Sequence, residues 1–364
     1  MSSTVPPLSR LRVLDLSIFT PGPFASQIFA DLGATVLKVE APPGGDRERD
    51  VMPAYFEAYN RGKASVALDL KNADDLAICH ALAREADIVI EGFRPGVCDR
   101  LGVGFEQISA INPRIIYVSL TGFGSDGPYK MARAHDPEIQ AITGSLHYSR
   151  SADGKAIYNF AYPTFDYAAS MYAVIGALSW LGVADHGPVR VDVPLAAAGV
   201  AWMFPQYVNA IGHDNRAFAE NNTWRGSYRT RDGRYLTLTP AEGLRELLEE
   251  LGITGVSGRG RETMDAISKA IAQRDAADIV PVLTRLGVPV GLVQTADEAV
   301  KDPGLNSLGM LRGFDGNGPL ACASPIMGMP TRLLTVVPEV DAQGALVRDG
   351  GWVALENAKG EWNQ

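Results

Sequence analysis

Between residues 12 and 120, short apolar runs alternate with helical periods, and this limits what the chain can fold into. Arg12-Val13-Leu14-Asp15-Leu16 is a β-type run broken by Pro21-Gly22-Pro23. Phe24 to Leu32 carries a helical period ended by Gly33, and Thr35 to Glu40 is a second strand. A strand, a crossover helix and a second strand within about 30 residues form a βαβ unit, whose strands are parallel. The pattern repeats with strands at Ser65 to Leu68, Asp87 to Glu91 and Ile115 to Leu120, separated by helices at Ala73 to Ala86 and Phe105 to Ile111. Strands this continuously apolar need cover on both faces. The expected fold is α/β, a doubly wound, Rossmann-like domain around a parallel sheet.

Beyond Asp136 the texture changes. Phe165 to Leu181 and Ala196 to Ile211 read as apolar helices, with a short strand at Val189 to Val193 between them. Asn215 to Trp224 is polar and linker-like. Arg231-Asp232-Gly233-Arg234 is a hairpin turn between Tyr228 and the run Tyr235 to Leu238, and Val288 to Val293 is a further strand. A length of 364 residues suits two domains. The expected organisation is a large domain over 1–215, a small α+β domain over 225–312, and a C-terminal segment, 313–364, that returns to the large domain.

A formal net charge of −9 argues against a nucleic-acid partner, because phosphate neutralisation needs basic excess. Cys79, Cys98 and Cys322 form no CxxC pair, so no metal site is expected from them. The N-terminal residues lack the apolar core of a signal peptide, and no run approaches the roughly 18 apolar residues of a membrane span. The expectation is a cytoplasmic protein with no membrane partner.

Gly122-Phe123-Gly124-Ser125-Asp126-Gly127 matches the GxGxxG spacing after a strand. A dinucleotide site also needs a helix opening at the glycines and an acidic residue after the next strand. Pro128-Tyr129 and a polar stretch follow instead, so the loop reads as a ligand-contacting turn or as plain topology. Asp166 stands at the mouth of a helix, where Asp is a common N-cap. His135-Asp136 lies in a polar loop, and Glu242 follows the hairpin. Arg94, Arg100 and Arg133 lie in loops after strand ends, where α/β folds bind ligands. Taken singly, each of these has an ordinary reading as a cap, a packing group or a solvated charge.

Together the segments carry a resemblance. In order they are Val13-Leu14-Asp15-Leu16, Pro21-Gly22-Pro23, Ala30 to Glu40, Asn60-Arg61-Gly62-Lys63 and Leu68-Asp69-Leu70-Lys71. Glu91 to Gly96, Asn112 to Tyr117, Gly122-Phe123-Gly124 with Gly127-Pro128, and Gly287-Val288-Pro289 follow. The chain resembles the class III CoA-transferase family, formyl-CoA and carnitine type, which also contains α-methylacyl-CoA racemases. The resemblance implies a Rossmann-like large domain, a small inserted domain and an interlocked homodimer. It implies acyl-CoA and a small carboxylic acid as partners, with the CoA thioester as substrate and no permanently bound cofactor.

In the family's transferases the catalytic carboxylate opens the long helix, which places that role on Asp166. An Asp of ordinary pKa, about 3.9, is ionised at neutral pH and is a usable nucleophile. The resemblance implies an aspartyl anhydride and then an aspartyl-CoA thioester, with the loop of Gly122 and Gly124 stabilising oxyanions. It implies CoA contacts at Phe19, Thr20, Lys71, Arg94, Arg100 and Arg133, although Ala41 stands where formyl-CoA transferases place an Arg. His135 departs from the transferase pattern. His followed by Asp is racemase-like, and there His135, Asp166 and Glu242 would serve α-proton transfer. The sequence around Asp166 is transferase-like, and transferase is the leading reading. A racemase, or a non-catalytic acyl-CoA binder, is the alternative.

Overall fold

A computed structural model describes residues 5–149, 151, 153–212, 226–239, 243–258, 260–313, 321–328 and 330–363. Glu242 lies outside the described residues. The first half runs β1 (Arg12–Asp15), α1 (Pro21–Asp31), β2 (Thr35–Glu40), α2 (Glu48–Val51), α3 (Pro53–Asn60) and β3 (Ala64–Ala67). It continues with α4 (Ala73–Glu85), β4 (Ile88–Glu91), α5 (Val97–Arg100), α6 (Phe105–Ile111) and β5 (Ile116–Ser119). Then come α7 (Asp136–Ile142), α8 (Thr164–Leu181), β6 (Val189–Asp192) and α9 (Leu195–Gly212).

Six strands form one parallel sheet in the order β3-β2-β1-β4-β5-β6, as the alternation of strands and helices requires. Side chains alternate faces along a strand. Leu14, Leu37, Val66, Val89 and Tyr117 therefore meet Cys79 and Leu82 of α4 on one side. Val347, Trp352 and Leu355 of the helix Gly344–Asn357 join the same core, and the Trp352 indole donates to the Leu82 carbonyl at 2.9 Å. Val13, Val36, Ile88 and Ile116 point the other way and are equally buried. There α1 and α8 pack on each other and on the sheet. Every residue of β2 is buried, including the polar Thr35, Lys38 and Glu40.

Helix α1 starts at Pro21, three residues earlier than its periodicity suggests. Proline's missing N–H costs nothing in the first turn, so Pro21-Gly22-Pro23 opens the helix rather than only ending the strand. A Cβ on Gly22 would overlap the Ser17 side chain, so glycine lets the helix start sit against the end of β1. The short helices α2 and α3 were not apparent from pattern. Pro53 opens α3 in the same way.

Charged groups are buried at the C-terminal edge of the sheet. Lys63 Nζ pairs with Asp15 at 3.1 Å and Lys38 Nζ with Asp46 at 3.0 Å, all four side chains fully enclosed. Burial alone would raise the Asp15 pKa, but Lys63 and Lys38 outweigh it and bring the group down to about 2.

The chain divides into two compact units, 1–203 with 306–364, and 204–305. In the second, β7 (Gly226–Arg229), β8 (Tyr235–Leu238) and β9 (Val290–Leu292) form an antiparallel sheet in that order. Its core joins Leu236 and Leu238 to Leu247, Ile267, Ile279 and Leu283 from three helices. No helix among the described residues is long and apolar enough to cross a membrane.

Candidate active site

The strand order reverses at β1 and β4, so the chain leaves these neighbours in opposite directions and a crevice opens past their C-terminal ends. A cavity of about 560 Å³ lies there. The loop after β1 supplies Phe19, that after β4 Gly92 and Arg94, and that after β5 Gly122, Lys130 and Arg133. Arg47, His135 and Asp166 complete its ionisable lining. Phe19 holds a φ of 60°, a left-handed conformation that costs a non-glycine residue roughly 1–2 kcal/mol.

Asp166 is the third residue of α8, not its N-cap, which is Pro163. Pro163 has no side-chain oxygen to offer the helix. Asp136, the first residue of α7, does so instead. Its Oδ1 accepts from the N–H of Phe165 at 2.6 Å and of Asp166 at 3.2 Å, and its Oδ2 accepts from Gln140 Nε2 at 2.5 Å. The Tyr158 hydroxyl also bonds to this carboxylate. The Asp166 carboxyl is thus released from capping and borders the cavity.

The expectation of an ordinary Asp pKa at 166 is corrected here. Burial, then the carboxylates of Asp136 and Glu48, raise it well above the usual carboxylate range. Such a carboxylate is more basic than a solvated one. Acylation would remove its charge, so the same repulsion favours an uncharged covalent adduct over the free anion. Beside it, Tyr167 and Tyr59 share a 2.6 Å hydrogen bond between hydroxyls and pack with Phe24.

Of the residues singled out by sequence, the cavity brings together Phe19, Arg94, Gly122, Arg133, His135 and Asp166. His135 is 78% exposed, 3.5 Å from the Glu138 carboxylate. Thr20, Lys71, Arg100 and Gly124 do not line it. Thr20 is buried and donates to Glu48 at 3.3 Å, Lys71 and Arg100 are exposed, and the Gly124 N–H donates to Thr121 Oγ1 at 3.0 Å. Arg47 and Lys130 join the site unannounced. The only signal for either was a basic residue in a loop, which nothing local sets apart. No cluster of three potential metal ligands occurs among the described residues.

Fold and site define an α/β protein with a buried carboxyl at a cation-lined crevice past the ends of its parallel strands. Residues 8–342 match the model of CoA-transferase family III. The chain belongs to that family and is an enzyme that transfers CoA. It is 28% identical to the succinate–glutarate CoA-transferase of Agrobacterium fabrum, with 92% of each chain covered. It is 29% identical to the acetyl-CoA:oxalate CoA-transferase of Acetobacter aceti, covering 96% of this chain and 98% of that one. A CAIB/BAIF family protein from Brucella suis superposes with a TM-score of 0.82 at 26% identity, covering 94% of this chain and 98% of the other.

Proposed function

We infer that this enzyme moves CoA from an acyl-CoA thioester to a free carboxylic acid through covalent intermediates on Asp166. One observation carries the reading: the buried Asp166 carboxyl borders a cavity whose other ionisable lining residues are Arg47, Arg94, Lys130, Arg133 and His135. CoA is polyanionic, and four permanent or near-permanent cations suit its phosphates. Phe19 offers apolar contact at the same mouth. Relatives named for succinate, glutarate and oxalate support a small carboxylic acid as the acceptor.

A carboxylate oxygen of Asp166 attacks the thioester carbonyl, the C–S bond breaks, and CoA leaves as thiolate. The thiolate then attacks the Asp166 carbonyl of the mixed anhydride, expelling the first acid as carboxylate and leaving an aspartyl-CoA thioester. The acceptor carboxylate attacks that thioester, and the thiolate it releases takes the new acyl group, freeing Asp166. Each step exchanges one anion for another and needs no proton. Gly122 borders the same cavity, which supports its backbone N–H as a donor that steadies the oxyanions.

His135 borders the same cavity, and this favours one second reading, α-proton transfer between His135 and Asp166 in a racemase. Incubation with one acyl-CoA in heavy water separates the two. A transferase leaves the α-hydrogen unexchanged, acts only when a second acid is added, and yields an Asp166 adduct to hydroxylamine. Rapid α-deuteration without an adduct would establish the racemase.

A second copy of the chain belongs to this proposal. Met171, Tyr172, Ile175 and Trp180 of α8, with Val200 and Trp202 of α9, are large apolar groups left exposed, which supports a homodimer, interlocked as the family resemblance implies. A monomer by light scattering at micromolar concentration would remove it.

A further inference from the structure

A second cavity, of about 480 Å³, is lined by Arg12 and Thr35, the first residues of β1 and β2, and by Asp87, which precedes β4. It therefore lies past the N-terminal ends of the strands and shares no lining residue with the cavity at Asp166. Arg12 engages the carboxylates there. Its guanidinium donates to Glu85 at 2.8 Å and to the two oxygens of Glu356 at 2.9 and 2.8 Å, and its N–H donates to Asp87 at 2.8 Å. Arg332 and Lys359 line the same cavity and converge on one stretch of chain. The Arg332 N–H donates to the Asp31 carbonyl at 2.9 Å. Lys359 Nζ donates to Thr35 Oγ1 at 2.5 Å and to the Gly33 carbonyl at 3.4 Å. The Arg332 guanidinium donates to Asn363 Oδ1 at 2.9 Å, and the Asn363 N–H donates to the Lys359 carbonyl at 3.0 Å. Both cations are half-buried, and neither pairs with a carboxylate among the described residues. Cations drawn out of water and held by neutral acceptors alone are costly. Burial first and Arg332 second bring the Lys359 pKa down to about 7, and Glu356 offsets only part of this.

We propose that this cavity is a second ligand site, which takes the oxyanion group of a small polar molecule, a phosphate or a carboxylate, at Arg332 and Lys359. The guanidinium fork of Arg332 suits two oxygens at once, and the Lys359 ammonium adds a compact point charge. Ser9 and Thr35 border the cavity with hydroxyls, and Arg10 stands exposed beside it. No aromatic ring is among the lining residues, so there is no platform for a base and the site suits a small anion rather than a nucleotide. Bound there, the anion supplies the counter-charge that Arg332 and Lys359 lack. The site is independent of the transferase reading, because none of its residues takes part in that chemistry.

Calorimetry tests this with inorganic phosphate and malonate, each titrated into full-length protein carrying Arg94→Ala and Arg133→Ala, so that two cations of the active-site cavity no longer compete. At least one anion should bind, one per chain, at millimolar concentration or below. Adding Lys359→Gln should weaken that binding about tenfold or more, as loss of one charged hydrogen bond requires, and Lys359→Arg should restore most of it. Arg332→Gln should weaken it in the same way and gives the reading if Lys359→Gln does not fold. Preference for phosphate assigns a phosphorylated ligand, and preference for malonate assigns a carboxylate. Absence of binding by either anion overturns the proposal, as does binding that Lys359→Gln and Arg332→Gln leave unchanged.

Discussion

The carboxylate of Asp136 holds the helix turn that carries Asp166, its Oδ1 accepting from the backbone N–H of Asp166 at 3.2 Å and of Phe165 at 2.6 Å. One carboxylate therefore caps so that the other stays free of the backbone. The capping charge also opposes ionisation of the carboxyl it positions.

Two substitutions separate these roles. Asp136→Ala removes the cap and should lower stability by about 0.5–2 kcal/mol, with a marked loss of turnover as Asp166 drifts. Asp136→Asn keeps a capping oxygen and removes the charge, so the acidic limb of kcat/KM should move to lower pH. Urea melts and pH–rate profiles of both variants check this. Identical pH profiles for Asp136→Asn and wild type would contradict it.

Asp166→Asn should be inactive yet at least as stable as wild type at neutral pH. The Asp166 pKa is raised on folding. Its contribution to stability is present below the ordinary Asp value and is lost as pH rises through the folded one. Wild type should lose stability relative to the variant as pH increases from about 4 toward neutrality. Melting temperatures measured across that range test the sign.

Asp15 titrates in the opposite direction. Its folded pKa of about 2 lies below the ordinary value, so its contribution is present above that ordinary value and is lost as pH falls through the folded one. Asp15→Asn leaves Lys63 and Lys38 enclosed with one fewer counter-charge. It should cost about 3–5 kcal/mol near neutral pH, read from chemical denaturation.

Arg94→Ala and Arg133→Ala should each raise KM for acyl-CoA about tenfold or more, as loss of one charged hydrogen bond of about 1.5–3 kcal/mol requires. Lys71→Ala and Arg100→Ala, outside the cavity lining, should change KM little. Added salt should weaken wild-type binding more than that of the cavity variants. Equal effects from all four substitutions would mean that CoA does not lie in this cavity.

The sequence by itself determined the parallel sheet, since its alternating apolar strands and helical periods admit few other arrangements, and it determined the hairpin through Asp232-Gly233. It also showed that no helix opens at the glycine loop after β5, and the next helix starts at Asp136. Those features depend on local chemistry: residue period, turn propensity and the missing N–H of proline. Tertiary structure alone decided that Asp136 caps the helix of Asp166, that Arg47 and Lys130 border its cavity, and that Arg332 and Lys359 meet at a second one. It also decided that Thr20 turns inward to Glu48. The reason is physical. A carboxyl's pKa and its freedom to react depend on burial and on charges brought close by distant parts of the chain, and no local pattern encodes either.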